Sequence, residues 1–258
     1  MKIEAIISDL DGVVYRGDRP IPGAVEAINE WARRGIGYAF VTNNATKSPA
    51  AFAEKLMAMG IDAGPDKVVT SVEAAATFLS RNCPVSPRTF VIGEGALLEA
   101  VGRTGAEIVD SEDVEAVVLG FDSHLDYTKL RTATRAVMNG ALLIVTNPDV
   151  ITPADTGYEP CVGAVLAAII AAAPRARPIV AGKPSPLMVE EALIRLGSSR
   201  ERTIMVGDQI HTDIVAGQAA GLRSFLVTTG VPPMGEAAAE PDAVIASLNE
   251  IPIHAVAV

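Results

Sequence analysis

Asp9 and Asp11 stand two residues apart at the end of a short apolar run, residues 3–7, and Gly12 follows them. An i, i+2 spacing on an extended backbone points both carboxylates to the same side. Like charges held that close repel each other and lose solvation unless something compensates. The usual compensation is a hard divalent cation: Mg²⁺ takes one or two carboxylates and keeps several of its waters. Gly12 lets the chain turn away tightly where a side chain would obstruct it.

Three more polar groups sit at the ends of apolar runs. Thr42, Asn43 and Asn44 follow residues 36–41, Lys183 follows residues 179–182, and Asp208 follows residues 203–207, with Asp213 a helical turn further on. Three carboxylates suit a hard cation, while a hydroxyl, backbone N–H groups and an ammonium suit a phosphate. Two other stretches are dismissed. Gly93-Glu94-Gly95 lacks the third glycine of a dinucleotide fingerprint, and Gly182-Lys183 runs into Pro184 without the upstream glycine of a nucleoside-triphosphate loop.

Elements must bring these groups to one place. In an open parallel sheet, ligands bind beyond the carboxyl ends of the strands, and polar ends on apolar strands fit that arrangement. The apolar positions Ala24, Ala27, Ile28 and Trp31 follow helical spacing, and Ser48-Pro49 opens a second helix as cap and first residue. Strand, helix, strand, helix predicts an α/β fold, a doubly wound (Rossmann-like) parallel sheet. Residues 15–21 read as a loop. Between Pro84 and Pro178 runs a self-contained alternation, with strands at 89–92, 114–120 and 141–146 and helices at 94–101, 127–138 and 162–172. That predicts a smaller α/β domain, residues 82–177, inserted into a core of residues 1–81 and 178–258. In the returning core, Ser185-Pro186 repeats the cap-and-proline start, Thr212 is a candidate cap for a helix ending at Gly221, and strands are expected at 224–227 and 243–245. Residues 236–240 read as a loop or helical turn.

Composition sets further bounds. The chain has 258 residues, of which 49% are hydrophobic and 20% charged, enough for a full core and too apolar for general disorder. A net charge of −10 argues against nucleic acid or an anionic membrane surface as partner. The most apolar later run, residues 162–173, is too short to span a bilayer. It reads as a buried helix of the insert, with a homodimer surface as the alternative. The N-terminus enters a buried strand without a signal-peptide pattern, so a cytoplasmic location with reduced, packing Cys83 and Cys161 is expected. His211 reads as a loop residue near the site, and His124 and His254 as surface residues.

The stretches Asp9-Leu10-Asp11-Gly12, Thr42-Asn43-Asn44, Lys183 and Gly207-Asp208 to Asp213 resemble, in order, the four motifs of the haloacid dehalogenase-like (HAD) phosphohydrolases. The insert between the second and third motifs, with Thr146-Asn147-Pro148-Asp149 and Gly182-Lys183-Pro184-Ser185-Pro186, is similar to subclass IIA, the NagD-type sugar phosphatases and p-nitrophenyl phosphatases. The resemblance implies a Mg²⁺-dependent phosphatase acting on a small phosphorylated metabolite. It implies Asp9 as nucleophile, Asp11 as general acid and then base, and Mg²⁺ on Asp9, the Asp11 carbonyl and Asp208. It implies Lys183, Thr42, Asn43 and Asn44 around the phosphate and Asp213 as a support behind the ligands. The insert becomes a cap whose loops 147–152 and 157–161 reach over the leaving group. A phosphomutase, a 2-haloacid dehalogenase and a non-catalytic phosphate-sensing module are the competing readings.

Overall fold

The short aliphatic runs form strands and the 3.6-periodic stretches form helices in a computed structural model that describes residues 3–154, 157–230 and 239–253. The chain opens with β1 (Ala5–Ser8), a small hairpin of β2 (Tyr15–Arg16) and β3 (Arg19–Pro20), α1 (Ala24–Arg33), β4 (Gly37–Thr42), α2 (Pro49–Ala58) and β5 (Val68–Thr70). It continues with α3 (Ser71–Asn82), β6 (Arg88–Ile92), α4 (Ala96–Arg103), β7 (Glu107–Ile108), β8 (Ala116–Leu119), α5 (Tyr127–Met138) and β9 (Leu142–Val145). There follow β10 (Ile151–Ala154), β11 (Gly157–Pro160), α6 (Val162–Ala172) and β12 (Ile179–Val180). The last part holds α7 (Leu187–Leu196), β13 (Thr203–Gly207), α8 (Val215–Ala219), β14 (Arg223–Val227) and β15 (Ala243–Ile245).

Contacts divide the chain into two units: Met1–Thr42, Ser48–Thr70 and Lys183–Val258 form one, Asn43–Lys47 and Ser71–Gly182 the other. The proline-based boundaries fall elsewhere because α3 packs on α4 and β9, and β12 pairs with β9. In the first unit a six-stranded sheet runs β15-β14-β13-β1-β4-β5, every pairing parallel. Counted along its own strands, that is the doubly wound order, with its reversal between β1 and β13. Ile6, Phe40, Val206 and Phe225 face a core completed by Ala24, Ile28 and Trp31 of α1 and Phe52 and Leu56 of α2. Ser48 caps α2, its hydroxyl accepting from Ala51 N at 3.3 Å, and Pro49 follows at the first turn. The apolar face of α7, with Met188, Val189 and Ala192, is buried, and α7 packs on β1, β4 and β5.

The second unit carries a parallel sheet ordered β12-β9-β8-β6-β7. Alternate residues Phe90, Ile92, Val117, Leu119, Leu143 and Val145 meet α5 and α6 through Ala133, Ala136, Val162 and Ile169. Helix α6 has a core face and an exposed face of Ala167, Ala168, Ala171 and Ala172, so it is only partly the buried helix its composition suggests.

Four local expectations change. Residues 15–21 are a hairpin, Tyr15 pairing with Pro20, rather than a loop. Residues 151–154 and 157–160, read as parts of loops, pair antiparallel as β10 and β11. This ribbon joins no larger sheet, so it shows no core-facing alternation. Ser185 does not cap α7, whose N-cap is Pro186 with no side-chain bond. Thr212 lies inside a π-helical turn, Ile210–Ile214, and α8 starts after it. Residues 236–238 and His254 lie outside the described residues. Both cysteines are free thiols. Among the described residues, no helix is long and apolar enough to cross a membrane.

Trp31, the single tryptophan of the sequence, is 1% exposed and shares the core with Ile28 at 0%. Ile28→Ala should lower the stability of the first unit by about 2–5 kcal/mol through lost burial and a residual cavity. Urea unfolding followed by Trp31 fluorescence measures it, and a loss under about 1 kcal/mol would mean that α1 docks loosely.

Candidate active site

Strands β1 and β13 are neighbours at the reversal of strand order, where an open α/β sheet forms a crevice. The register sets Ser8 beside Val206 and, on the other side, Phe40. Asp9 therefore leaves β1 next to Asp208 leaving β13, with Thr42 closing β4 on the same rim. Asp9 is tied back by its N–H to the Val206 carbonyl at 2.9 Å. All four ionisable members of the cluster are buried: Asp9 is 6% exposed, Asp208 3%, Lys183 3% and Asp213 0%.

Lys183 joins them. Its Nζ donates to Asp9 Oδ1 and to Asp213 Oδ1, each at 2.6 Å. Asp213 is held from both sides, because its Oδ2 accepts from Gln209 N at 3.0 Å and its own N–H donates to the Gln209 carbonyl at 2.9 Å. That bracing depends on the π-helical turn, a rare local form often found at functional positions.

One oxygen each from Asp9, Asp208 and Asp213 lies within 4.8 Å of the others. Three carboxylates around one ammonium leave an excess of buried negative charge. Burial pushes the Asp9 carboxyl up to about 8; Lys183 pulls the other way, while repulsion from Asp213 and Asp208 adds to the rise. Burial alone would lower the Lys183 pKa, but the carboxylates of Asp213 and Asp9 outweigh it and hold the ammonium well above its ordinary value. A set of hard oxygen donors with surplus charge, and neither sulfur nor imidazole among them, fits a hard divalent cation.

Two glycines make room for Asp208. A side chain on Gly12 would stand 2.5 Å from Asp208 Oδ2, and its φ of +83° already favours glycine. A side chain on Gly230 would collide with the same carboxylate. Thr229 Oγ1 donates to the Gly12 carbonyl at 2.7 Å, and Arg16 donates to the Thr229 and Gly230 carbonyls. The sequence reading missed Thr229 and Gly230, although they follow β14 at the same rim as the ends of β1, β4 and β13; Lys183, expected at the end of a fourth strand of that sheet, instead follows β12, which pairs with β9 in the other sheet. Tyr15 was missed too, having been read as loop.

The other expected residues are placed as follows. Asp11 is exposed on the turn after Asp9 and forms a bridge with Tyr15. Asn43 and Asn44 lie in the second unit. There the Asn43 carbonyl accepts from Ser71 Oγ at 3.1 Å and Asn147 Nδ2 at 3.3 Å, and Asn44 Oδ1 accepts from the Thr46 N–H and hydroxyl. His211 is exposed on the π-helical turn, and His124 is exposed near Glu94.

Known proteins share this arrangement of sequence and fold. Residues 6–107 match a family model described as haloacid dehalogenase-like hydrolase, and residues 180–251 match one described as HAD-hydrolase-like. An acid sugar phosphatase of Staphylococcus epidermidis is 40% identical over 228 residues, covering 88% of this chain and 87% of that protein. A single mutant of a thermostable NPPase from Geobacillus stearothermophilus superposes with a TM-score of 0.90 at 38% identity, over 98% of this chain and 99% of that one. NagD from E. coli K-12 gives 0.89 at 32% identity, over 98% and 100%.

The charge excess has a measurable consequence. The folded pKa of Asp9 lies above its unfolded value, so its ionisation costs stability as pH rises from about 4 to about 8. In chelator, the protein should melt lower at pH 8 than at pH 6, and Asp9→Asn should shrink that difference while keeping an acceptor for Lys183. Parallel pH dependence of the two melting temperatures would contradict the assignment.

Proposed function

The chain belongs to the haloacid dehalogenase-like hydrolases and is a phosphoric monoester hydrolase, and from that premise we propose that it cleaves small phosphomonoesters with Mg²⁺ through an aspartyl-phosphate on Asp9. The observation that carries the reading is the buried lysine at 2.6 Å from the carboxylate that must act as nucleophile. Lys183 opposes the rise in Asp9's pKa and so favours the ionised, nucleophilic form. The names of the relatives, an acid sugar phosphatase and an NPPase, favour sugar phosphates, with p-nitrophenyl phosphate as a surrogate. Glycerol phosphate, phosphoglycolate and nucleoside monophosphates are the other esters to test.

In this mechanism an Asp9 oxygen attacks phosphorus in line as the bond from phosphorus to the leaving oxygen breaks, and Asp11 gives that oxygen its proton. The Asp11 carboxylate then takes a proton from the water that hydrolyses the aspartyl-phosphate, returning Asp9 to its starting form. Lys183 offsets charge on the phosphoryl oxygens, and the Thr42 hydroxyl positions them. The sequence resemblance alone assigns backbone N–H groups of Asn43 and Asn44 to the same phosphate. Mg²⁺, held by Asp9, Asp208 and the Asp11 backbone carbonyl, would cancel charge on both the phosphate and the attacking carboxylate when bound. Asp213, both of whose oxygens already accept hydrogen bonds, fixes Lys183 rather than serving as a ligand. The sequence resemblance alone assigns the insert as the cap and its loops 147–152 and 157–161 to the leaving group.

Three outcomes test this reading. A panel of phosphomonoesters should be turned over with Mg²⁺ and not with EDTA. Asp9→Asn should lose at least about a thousandfold in kcat and trap no phosphoprotein; substantial residual turnover would exclude it as nucleophile. Asp11→Asn should lose more kcat/KM on phenyl phosphate than on p-nitrophenyl phosphate, since nitrophenolate needs little protonation. Equal losses on both would remove the acid role.

A further inference from the structure

Tyr15 holds a buried polar group that the mechanism above does not use. Its side chain is 0% exposed and belongs to the core of the first unit, yet its hydroxyl is buried without a well-formed hydrogen bond, with the Asp11 side chain within its reach. A buried hydroxyl without a well-formed bond costs stability, and phenylalanine would fill the same space without that cost.

The local backbone sets this residue against the acid. The Gly12 N–H donates to the Tyr15 carbonyl at 2.8 Å, the Val14 N–H to the Leu10 carbonyl at 2.8 Å, and Asp11 and Tyr15 form a bridge. Burial first, and then the carboxylates of Asp11 and Asp9, hold the phenol well above its ordinary pKa, and the side-chain contact among those causes is to Asp11, so it stays a proton-bearing donor facing that carboxylate. The ring is fixed from the other side. Lys55 of α2 places Nζ 3.7 Å from the ring centroid, donates to the Gly17 carbonyl at 2.8 Å and pairs with Asp18 at 3.5 Å. The β2–β3 hairpin is thereby tied to α2 through the residue that faces Asp11.

We propose that Tyr15 is a positioning residue for Asp11: with an ester in the site, its hydroxyl donates to one Asp11 oxygen and leaves the other, carrying the proton, to face the leaving oxygen. This rests on the acid role of Asp11 proposed above. It accounts for a tyrosine where packing alone asks for phenylalanine. It also accounts for the cation clamped over a ring that must hold its angle.

The test is Tyr15→Phe beside Asp11→Asn, with kcat/KM measured on phenyl phosphate and p-nitrophenyl phosphate and melting temperatures alongside. Tyr15→Phe should melt no lower than the parent. It should lose about tenfold on phenyl phosphate and several times less on p-nitrophenyl phosphate, with the loss in kcat rather than KM. A purely structural tyrosine would give equal losses on the two esters or none, and either result overturns the inference. A leaving-group bias in Asp11→Asn without one in Tyr15→Phe overturns the Tyr15 assignment alone. No bias in either variant removes the acid role itself and this inference with it.

Discussion

A lysine at 3% exposure, shared at 2.6 Å between Asp9 and Asp213, is the interaction on which the rest of the site depends. Taking charges out of water costs several kcal/mol per ion even after relaxation, and mutual attraction returns that only with good geometry. Here the geometry is good, but the count is not. Asp208 adds a third carboxylate to two that already share one ammonium. A fold selected for stability alone would not bury that surplus. Kept in a crevice, it makes a place whose excess charge a hard divalent cation would offset.

The topology follows from that demand. Lys183 must come from a segment far from Asp9 in sequence, and Asp208 and Asp213 from a third. Parallel strands with crossover helices bring Asp9 and Asp208 to a single rim, because every strand starts at one edge and ends at the other, and Lys183 is delivered there by the segment between β12 and α7. The reversal of order between β1 and β13 sends the flanking helices to opposite faces and opens the crevice between them. The strands themselves stay apolar, so the core that fixes the rim is not compromised by the charges standing at its edge.

Much of this was legible because strand ends interrupt the hydrophobic pattern. The runs at residues 3–7, 36–41 and 203–207 are mostly apolar and then turn polar, and although a polar turn is an ordinary end for one buried strand, the same ending with chemically matched residues on several of them marks a shared rim. Trp31 and Ile28 fell on one helical face by spacing alone, and α5 and α6 span 127–138 and 162–172 as the periodicity predicts. What periodicity could not show were short strands that pair outside the two large sheets. The β2–β3 and β10–β11 ribbons pair only with themselves, and strands of two and four residues are too short for alternation to mark them. Cap assignments failed where the local backbone is not a regular first turn: a π-helical turn occupies the place where Thr212 was expected to begin α8. Tyr15 escaped because a tyrosine beside a tight turn looks like packing until its hydroxyl is seen to be buried against Asp11 without a well-formed bond.

The departures from ordinary local rules do not scatter over the molecule. A π-helical turn at Asp213, a left-handed glycine pressed against Asp208, three buried carboxylates and a buried tyrosine hydroxyl without a well-formed bond lie in or just beyond the turns that follow β1 and β13, and Lys183 reaches them from the segment after β12. Each costs something, and each would be simpler replaced: a regular helix start, an alanine, an apolar side chain, a phenylalanine. Away from the rim, the core of the first unit shows aliphatic and aromatic side chains in regular elements. Sequences that specify a single fold keep their levels consistent and break the rules chiefly where function requires it. Several independent violations in one crevice are therefore stronger evidence for a working site than any one of them, and they point to the same two strand ends as the carboxylates themselves.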